Sequence, residues 1–408
     1  MKVAVIGAGS AGMEAAKTLA SNGVKTVLVD VEERMGGILN QCIHPGFGLH
    51  MFGEELTGPE FAQRLEDTIK DLNIDVRTNT YVKALQVKDG KKSLVLQAPK
   101  LGEYEEEFDK IIIATGARER TPAGILTPGH RVAGIYTAGL AQTFTNIKGW
   151  LPGNKVLIVG SGDVGLIMAR RLTLEGAEVV GVIEINPFPG GLPRNVKACL
   201  EDFGIPLYLS RKVIHIEGKD GRVHKVYVAK VDEQWNIISD DYEVFEVDTV
   251  LFSVGLIPNT GLLKHYVPIK KGFYVDFDQN FMTDIPGVHI IGNSAMIFDL
   301  ADHASLSGKM AANAILSEIV IDKKIPVVSE GLTVYPSHIT LPLLENCVKI
   351  FIRVRRPVAS ATIHVSTDHG QIKHEIKDIV PAQMLEVCVP GDMLKTAFAL
   401  NVALEVHE

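Results

Sequence analysis

Residues 2–30 read KVAVIGAGSAGMEAAKTLASNGVKTVLVD, and this stretch decides the fold. A short apolar run enters Gly7-Ala8-Gly9-Ser10-Ala11-Gly12, a helical pattern follows through Leu19, and a second apolar run ends in Asp30. A lone glycine triplet is weak evidence, but strand, G-x-G-x-x-G, helix, strand and acid in this order is specific; the acid falls 18 residues after the last glycine. The first glycine makes the tight turn, the second lets backbone approach a pyrophosphate, and the third lets helix pack on strand. Ser10 and Ala11 open the helix, whose N-terminus is suited to hold negative phosphate, and the Asp30 carboxylate can accept from ribose hydroxyls.

The same grammar returns at 155–184, KVLIVGSGDVGLIMARRLTLEGAEVVGVIE. Gly160, Gly162 and Gly165 supply the glycines, Asp163 and Val164 open the helix, and Glu184 ends the next strand. The correspondence runs on: LNIDVRTNT (72–80) matches FGIPLYLSR (203–211), Lys88-Asp89-Gly90 matches Lys219-Asp220-Gly221, and DKIIIATGA (109–117) matches DTVLFSVGL (248–256). Offsets between the copies run from 131 to 154 residues, so order is kept and loop lengths differ. The expected fold class is α/β, with two Rossmann-like units that each carry a β-meander closed at an Asp-Gly turn.

Composition narrows the function classes. The 408 residues suffice for two or three domains, and 46% hydrophobic content with 22% charge argues against disorder. Forty-one basic and 49 acidic residues, a formal charge of −8, are spread without long runs of one sign, so neither nucleic acid nor an anionic membrane is an expected partner. Cys42, Cys199, Cys347 and Cys388 lie far apart with no Cys-x-x-Cys pair, which favours a reducing compartment over a disulfide framework. Glycines interrupt the apolar N-terminus, so it reads as fold rather than signal peptide, and the expected location is the cytoplasm without membrane insertion.

Two features bear on the cofactors. Glu184 is followed by INPFPGG with no arginine close by; a carboxylate there favours a free ribose 2′-hydroxyl and repels a 2′-phosphate, so NADH is expected over NADPH. Far downstream, TDIPGVHIIGN (283–293) is a strand and turn that returns after the second unit ends.

These residues are distinctive enough to resemble a family. GGILNQCIHPGFGLHMFGEELTGPEF (36–61), GSGDVGLIMARRLTLEGAEVVGVIEI (160–185), FSVGLIPNT (252–260) and GNSAMIFDLADHASLSG (292–308) look like the two-dinucleotide-binding-domain flavoproteins of the pyridine nucleotide-disulfide oxidoreductase superfamily. Within it they resemble the FAD- and NAD-binding subunits related to hydrogen cyanide synthase, opine oxidase, heteromeric proline dehydrogenase and sarcosine oxidase, and short members that accompany a glycerol-3-phosphate dehydrogenase. Asp299 and Asp302 match that pattern, while Ile297-Phe298 replaces a usual Val-His.

The resemblance implies an FAD domain at 1–120 plus 268–325, an interrupting NAD domain at 121–267, and a C-terminal β-domain at 326–408. FAD contacts would come from Gly7, Gly9, Ser10, Ala11, Gly12, Asp30, Gly37, Thr115, Gly116, Gly292 and Asn293, with Asn293 in place of the acid that binds the ribityl chain. NAD contacts would come from Gly160, Gly162, Asp163, Val164, Gly165, Glu184 and Gly255. Arg118 and Arg120 are open to phosphate, substrate or solvent. The helix read at SLSGKMAANAILSEIV (305–320) would aim its N-terminus at the flavin. The implied activity is hydride transfer between NAD(H) and flavin, with electrons exchanged with a partner flavoprotein subunit or a small acceptor, and self-association is left open.

Cys42 keeps two readings. In one it is the single redox thiolate of an NADH oxidase, peroxidase or CoA-disulfide reductase, with His44 lowering its pKa. In the other it is a small residue of a loop shaped by Gly46 and Gly48. A dithiol relay needs a second thiol, and the next cysteine is Cys199. Cys42, His44 and His50 have no fourth ligand in recognisable spacing, so no metal site is expected. Thr57-Gly58-Pro59-Glu60 reads as a capping box with proline in the first turn.

Overall fold

A computed structural model describes residues 1–317 and 320–407. The chain forms two compact units, Met1–Ala117 with Pro258–Glu408, and Arg118–Ile257. In the first, a parallel sheet runs in the spatial order Val288–Ile290, Lys110–Ile113, Lys2–Ile6, Lys25–Val29, Ile74–Arg77. Val3, Ala4, Val5, Val27, Leu28, Val29 and Ile111 to Ile113 are all fully buried. Such continuous burial, rather than alternation, is the mark of a parallel sheet covered on both faces.

The second unit repeats the sheet as Ile135–Thr137, Thr249–Phe252, Lys155–Val159, Glu178–Ile183, Leu207–Tyr208. In the first unit the outer strand beside Lys110–Ile113 comes from beyond the insertion, whereas in the second its counterpart, Ile135–Thr137, precedes the glycine loop. Each unit also carries an antiparallel meander: Tyr81–Lys88, Lys91–Ala98, Gly102–Phe108, and Arg211–Lys219, Arg222–Val231, Ile237–Glu246. Their hairpins turn at Asp89-Gly90 (φ 50° and 77°) and Asp220-Gly221 (φ 52° and 81°). Two consecutive positive φ values are what a type I′ turn demands, and Asp-Gly supplies them cheaply.

The helix Gly58–Ile69 starts with the expected capping box: Thr57 Oγ1 accepts from Glu60 N–H, and the Glu60 carboxylate accepts from Thr57 N–H. The helix placed by pattern at 305 begins four residues earlier, as Ala301–Ser317. Asp302 lies in its first turn, where a carboxylate complements the helix dipole, and the four added residues carry the polar groups described below. This helix crosses Ser10–Ser21 so closely that a Cβ on Gly308 would lie 2.1 Å from Ala11 O.

From Lys323 onward the chain is β-structure. One sheet runs His338–Leu341, Lys323–Glu330, Leu400–Val406, Val358–Thr367, Gly370–Ile379, and a second runs Leu332–Tyr335, Cys347–Val354, Leu385–Pro390. Ile339, Ile350, Ile352, Ile363, Val365, Val389 and Leu400 are buried in a core shared by both sheets. Cys347 and Cys388 are joined as a disulfide with Cα atoms 5.6 Å apart. This corrects the expectation of unpaired thiols: strand pairing sets Lys349 opposite Cys388 and so brings together cysteines 41 residues apart. Cysteine usage therefore no longer argues for a reducing compartment. Among the described residues, no helix is long and apolar enough to cross a membrane.

Candidate dinucleotide sites

In the first unit the loop after Lys2–Ile6 turns at Gly7 (φ 106°), where a Cβ would meet Ala114 O at 2.3 Å. At Gly12 a Cβ would lie 1.8 Å from Gly7 O. Both glycines are thus demanded by the chain's own backbone. Gly9 is different: an added Cβ there meets no atom within 4 Å, although its φ of −75° suits any residue. A glycine that the protein does not need for itself, facing open space at a helix N-terminus, fits a site where a ligand's backbone-hugging pyrophosphate passes. Ser10 and Ala11 begin that helix, and the first intrahelical bond runs from Met13 N–H to Gly9 O, so the amides before it point out of the N-terminus unpaired by the helix.

Asp30 is buried at the end of Lys25–Val29. One carboxylate oxygen accepts from Ala8 N–H at 2.5 Å and the other from Glu32 N–H at 2.8 Å. Gly36 N–H then donates to Ala8 O at 2.8 Å, and a Cβ on Gly37 would stand 3.4 Å from Gly9 Cα, so Gly36-Gly37 returns across the glycine loop. Across the sheet, Gly116 (φ 64°) leaves open space where a Cβ would be. Thr115 is held beside it by reciprocal bonds, its hydroxyl donating to Asn259 O at 2.8 Å and its carbonyl accepting from Asn259 Nδ2 at 3.0 Å.

Gly292 (φ 59°) lies against Ala11, where a Cβ would be 2.9 Å from the alanine methyl, and its N–H donates to Ser307 Oγ at 2.8 Å. Asn293 uses its Oδ1 to accept from Phe298 N–H at 3.0 Å. Its amide nitrogen has no hydrogen-bond partner among the described residues, which suits donation to a polyol hydroxyl.

A further buried acid, Asp302, was matched by resemblance but given no role in the sequence reading. It is 7% exposed; Oδ2 accepts from Gly48 N–H at 3.1 Å, and Oδ1 accepts from His50 and Met51 N–H at 3.1 and 2.9 Å. One carboxylate thereby fixes the glycine-rich loop onto the start of Ala301–Ser317. Behind it, Asp299 Oδ2 accepts from Met384 N–H at 3.1 Å, and His303 Nδ1 lies 3.5 Å from Asp299 Oδ1. Arg353 donates to Ile297, Pro381 and Ala382 carbonyls at 2.8 to 3.0 Å, and Phe351 meets Phe298 edge-on. The β-structure after Lys323 therefore clamps residues 297–303. The Asp299 carboxyl raises the His303 pKa against the opposing effect of burial. Burial pushes the Asp299 carboxyl up, but His303, the Met384 amide and Arg353 outweigh it and hold the pKa below the usual range.

Cys42 follows the 3₁₀ turn Gly37–Gln41, half-buried, with Sγ 3.3 Å from Ile38 O. His44 places Nδ1 2.9 Å from Pro45 O and packs on Phe47. His50 stacks on His303 instead, with ring centroids 5.8 Å apart. Among the described residues no group of three or more His, Cys, Asp or Glu is placed to hold a metal.

The second unit repeats the arrangement. Cβ atoms on Gly160 (φ 93°) and Gly165 would meet Ser253 O at 2.2 Å and Ser253 Cβ at 2.7 Å, whereas one on Gly162 would make only ordinary contacts at 3.5 Å and beyond. Gly255 (φ 98°) leaves open space and accepts from Arg120 N–H at 2.9 Å. Arg120 Nε is buried without a hydrogen-bond partner among the described residues, while Arg118 is exposed. Asp163 Oδ1 accepts from Leu192 N–H and Asn195 Nδ2 at 2.8 and 2.6 Å, which ties the start of the helix Asp163–Leu174, including Val164, to the Gly190-Gly191 return. Buried Glu184 accepts from Ser161 through Oε2 and from Asn186 through Oε1.

Sequence reasoning passed over one signal. Gly36-Gly37 follows Asp30 by six and seven residues, and Gly190-Gly191 follows Glu184 by the same count. Gly190 N–H donates to Ser161 Oγ at 2.7 Å, as Gly36 N–H donates to Ala8 O. Both copies thus fold a Gly-Gly return over their nucleotide loop.

Comparison with known proteins agrees with this architecture. The family model described as pyridine nucleotide-disulphide oxidoreductase matches residues 1–308. Hydrogen cyanide synthase subunit HcnB of Pseudomonas aeruginosa is 29% identical over 349 residues, which cover 78% of this chain and 71% of that one. An NADH oxidase of Methanocaldococcus jannaschii is 25% identical over 311 residues, covering 73% of this chain and 64% of the relative, so the chain spans under two thirds of that protein. Among solved structures, the thioredoxin reductase of T. acidophilum shares the fold with a TM-score of 0.65 at 22% identity, over 78% of this chain and 97% of that one.

Proposed function

The chain belongs to the pyridine nucleotide-disulphide oxidoreductase family, whose members bind FAD and NAD(P), and on that premise we propose that it is an NADH-preferring flavoprotein that exchanges electrons with a second protein subunit or a small acceptor. FAD, when bound, supplies reversible acceptance of a hydride from a nicotinamide. The observation that carries the reading is the doubled cradle: Gly9 and Gly162 are the glycines of each triplet that clash with nothing in the chain, and each stands beside a buried acid at a strand end.

This chain's residues bind and orient rather than move protons. Asp30 would offer carboxylate acceptors to an adenosine ribose, Asn293 would offer its amide nitrogen to the ribityl chain, and the N-terminus of Ala301–Ser317 would stabilise negative charge on the reduced ring. Gly7, Gly12 and Gly37 shape the first cradle, with Thr115, Gly116 and Gly292 lining its far side. Gly160, Gly165 and Gly255 shape the second, and Glu184 sets the preference against a 2′-phosphate. The likeness to a subunit of hydrogen cyanide synthase supports a partner chain.

Half-buried Cys42, on the loop that returns past Gly9, favours one second reading, a single-thiol NADH oxidase or disulfide reductase. Anaerobic addition of NADH, and separately NADPH, to the purified yellow protein tests the first reading: rapid bleaching by NADH and slower bleaching by NADPH are expected. A colourless protein, or a flavin that NADH leaves oxidised, refutes it. Cys42→Ser separates the two readings, because bleaching and acceptor turnover persist under the first while turnover with disulfides or peroxide is lost under the second.

A further inference from the structure

The two acids at the strand ends are not equivalent. A carboxylate has about four acceptor positions. Asp30 fills two of them from the chain, with Ala8 and Glu32 N–H, leaving room for a ribose diol. Glu184 fills four: Ser161 N–H at 2.9 Å and Ser161 Oγ at 2.5 Å on Oε2, and Asn186 N–H at 3.0 Å and Asn186 Nδ2 at 2.9 Å on Oε1. As it stands, Glu184 has no acceptor left for a nucleotide.

The four donors differ in how readily they can leave. The Ser161 amide belongs to the glycine loop, and the Ser161 hydroxyl also accepts from Gly190 N–H at 2.7 Å, so it is locked into the Gly-Gly return and fully buried. The Asn186 backbone is pinned because its carbonyl accepts from Ser210 N–H at 3.0 Å. The Asn186 side-chain amide donates to Glu184, sits half-buried beside exposed Pro187, and turns about its own side-chain bonds. Among the described residues the first unit has no counterpart: Glu32, two residues after Asp30, gives only its N–H to the carboxylate.

We propose that Asn186 determines the affinity and specificity of the second nucleotide site, its side-chain amide occupying the Glu184 acceptor that a ribose hydroxyl needs, so that an adenosine diol binds by displacing it. This rests on the reading of that site as the NAD(H) site and deepens it. A 2′-phosphate gains nothing from the displacement, because it exposes a bare carboxylate to an anion. The amide therefore lowers affinity for the free-diol coenzyme selectively.

The test uses the full chain with its flavin, titrated calorimetrically with NAD⁺, ADP-ribose and NADP⁺, which give no reduction of an oxidised flavin. Asn186→Ala and Asn186→Gly both delete the amide, a thermal melt checks each fold, and either folded variant suffices. NAD⁺ and ADP-ribose should bind about tenfold tighter to the variants, the scale of one charge-assisted hydrogen bond, with NADP⁺ changed by less than about twofold. Unchanged or weaker binding of NAD⁺ and ADP-ribose by a folded variant, with the wild type still binding, overturns this inference alone. Absence of binding by wild type and variants alike overturns the NAD(H) reading together with it.

Discussion

Replacing Asp302 isolates the anchor of the loop at 46–52. In Asp302→Ala the N–H groups of Gly48, His50 and Met51 lose their acceptor together. Hydrogen bonds to a charged group contribute roughly 1.5–3 kcal/mol each, but two of these share one oxygen and exposed His50 can turn to water, so the combined loss should be about 3 kcal/mol. At about 1.4 kcal/mol per tenfold, local opening becomes roughly a hundredfold more frequent. Asp302→Asn keeps one carbonyl oxygen and two of the three bonds, and should fall about midway. Hydrogen exchange followed by mass spectrometry on peptides spanning 46–52 reads this directly, with peptides from the Lys2–Ile6 strand as the internal reference. Wild-type protection of 46–52 in Asp302→Ala would refute the claim that this carboxylate holds the loop.

Two further outcomes follow from the same geometry. Gly12→Ala should destabilise the first unit by about 1–3 kcal/mol or more, because its Cβ would lie 1.8 Å from Gly7 O, whereas Gly9→Ala should melt like wild type and purify depleted of flavin; equal melting of the two would remove the division of labour between the glycines. The His303 pKa is raised in the fold, so its ion pair with Asp299 is fully present below the unfolded histidine value and is lost as pH rises through the folded one. The wild type should therefore lose up to about 1 kcal/mol of stability relative to His303→Gln on moving from pH 6 to pH 8.5. Parallel pH curves in thermal unfolding would count against this pair.

Much of the fold was legible because Rossmann grammar is local. Turn, close approach and helix packing each demand glycine at one fixed offset, and the Asp-Gly turns of both meanders announce themselves by the positive φ they require. Gly-Gly six residues after each acid was equally legible, being a repeat in plain sequence. Asp302 was visible as a matching acid, but its three amide partners lie 251 to 254 residues away, and no spacing rule reaches that far.

What the sequence by itself determined is thus the pair of nucleotide-binding units, their glycines and their terminal acids, because those requirements are met within some thirty residues of chain. Tertiary structure alone decided that Cys347 meets Cys388, that Arg353 and Met384 brace residues 297–303, and that Glu184 is saturated where Asp30 is open. Those facts depend on strand register and on which donors converge on one oxygen. Both are set when distant segments pack, after local propensity has done its part.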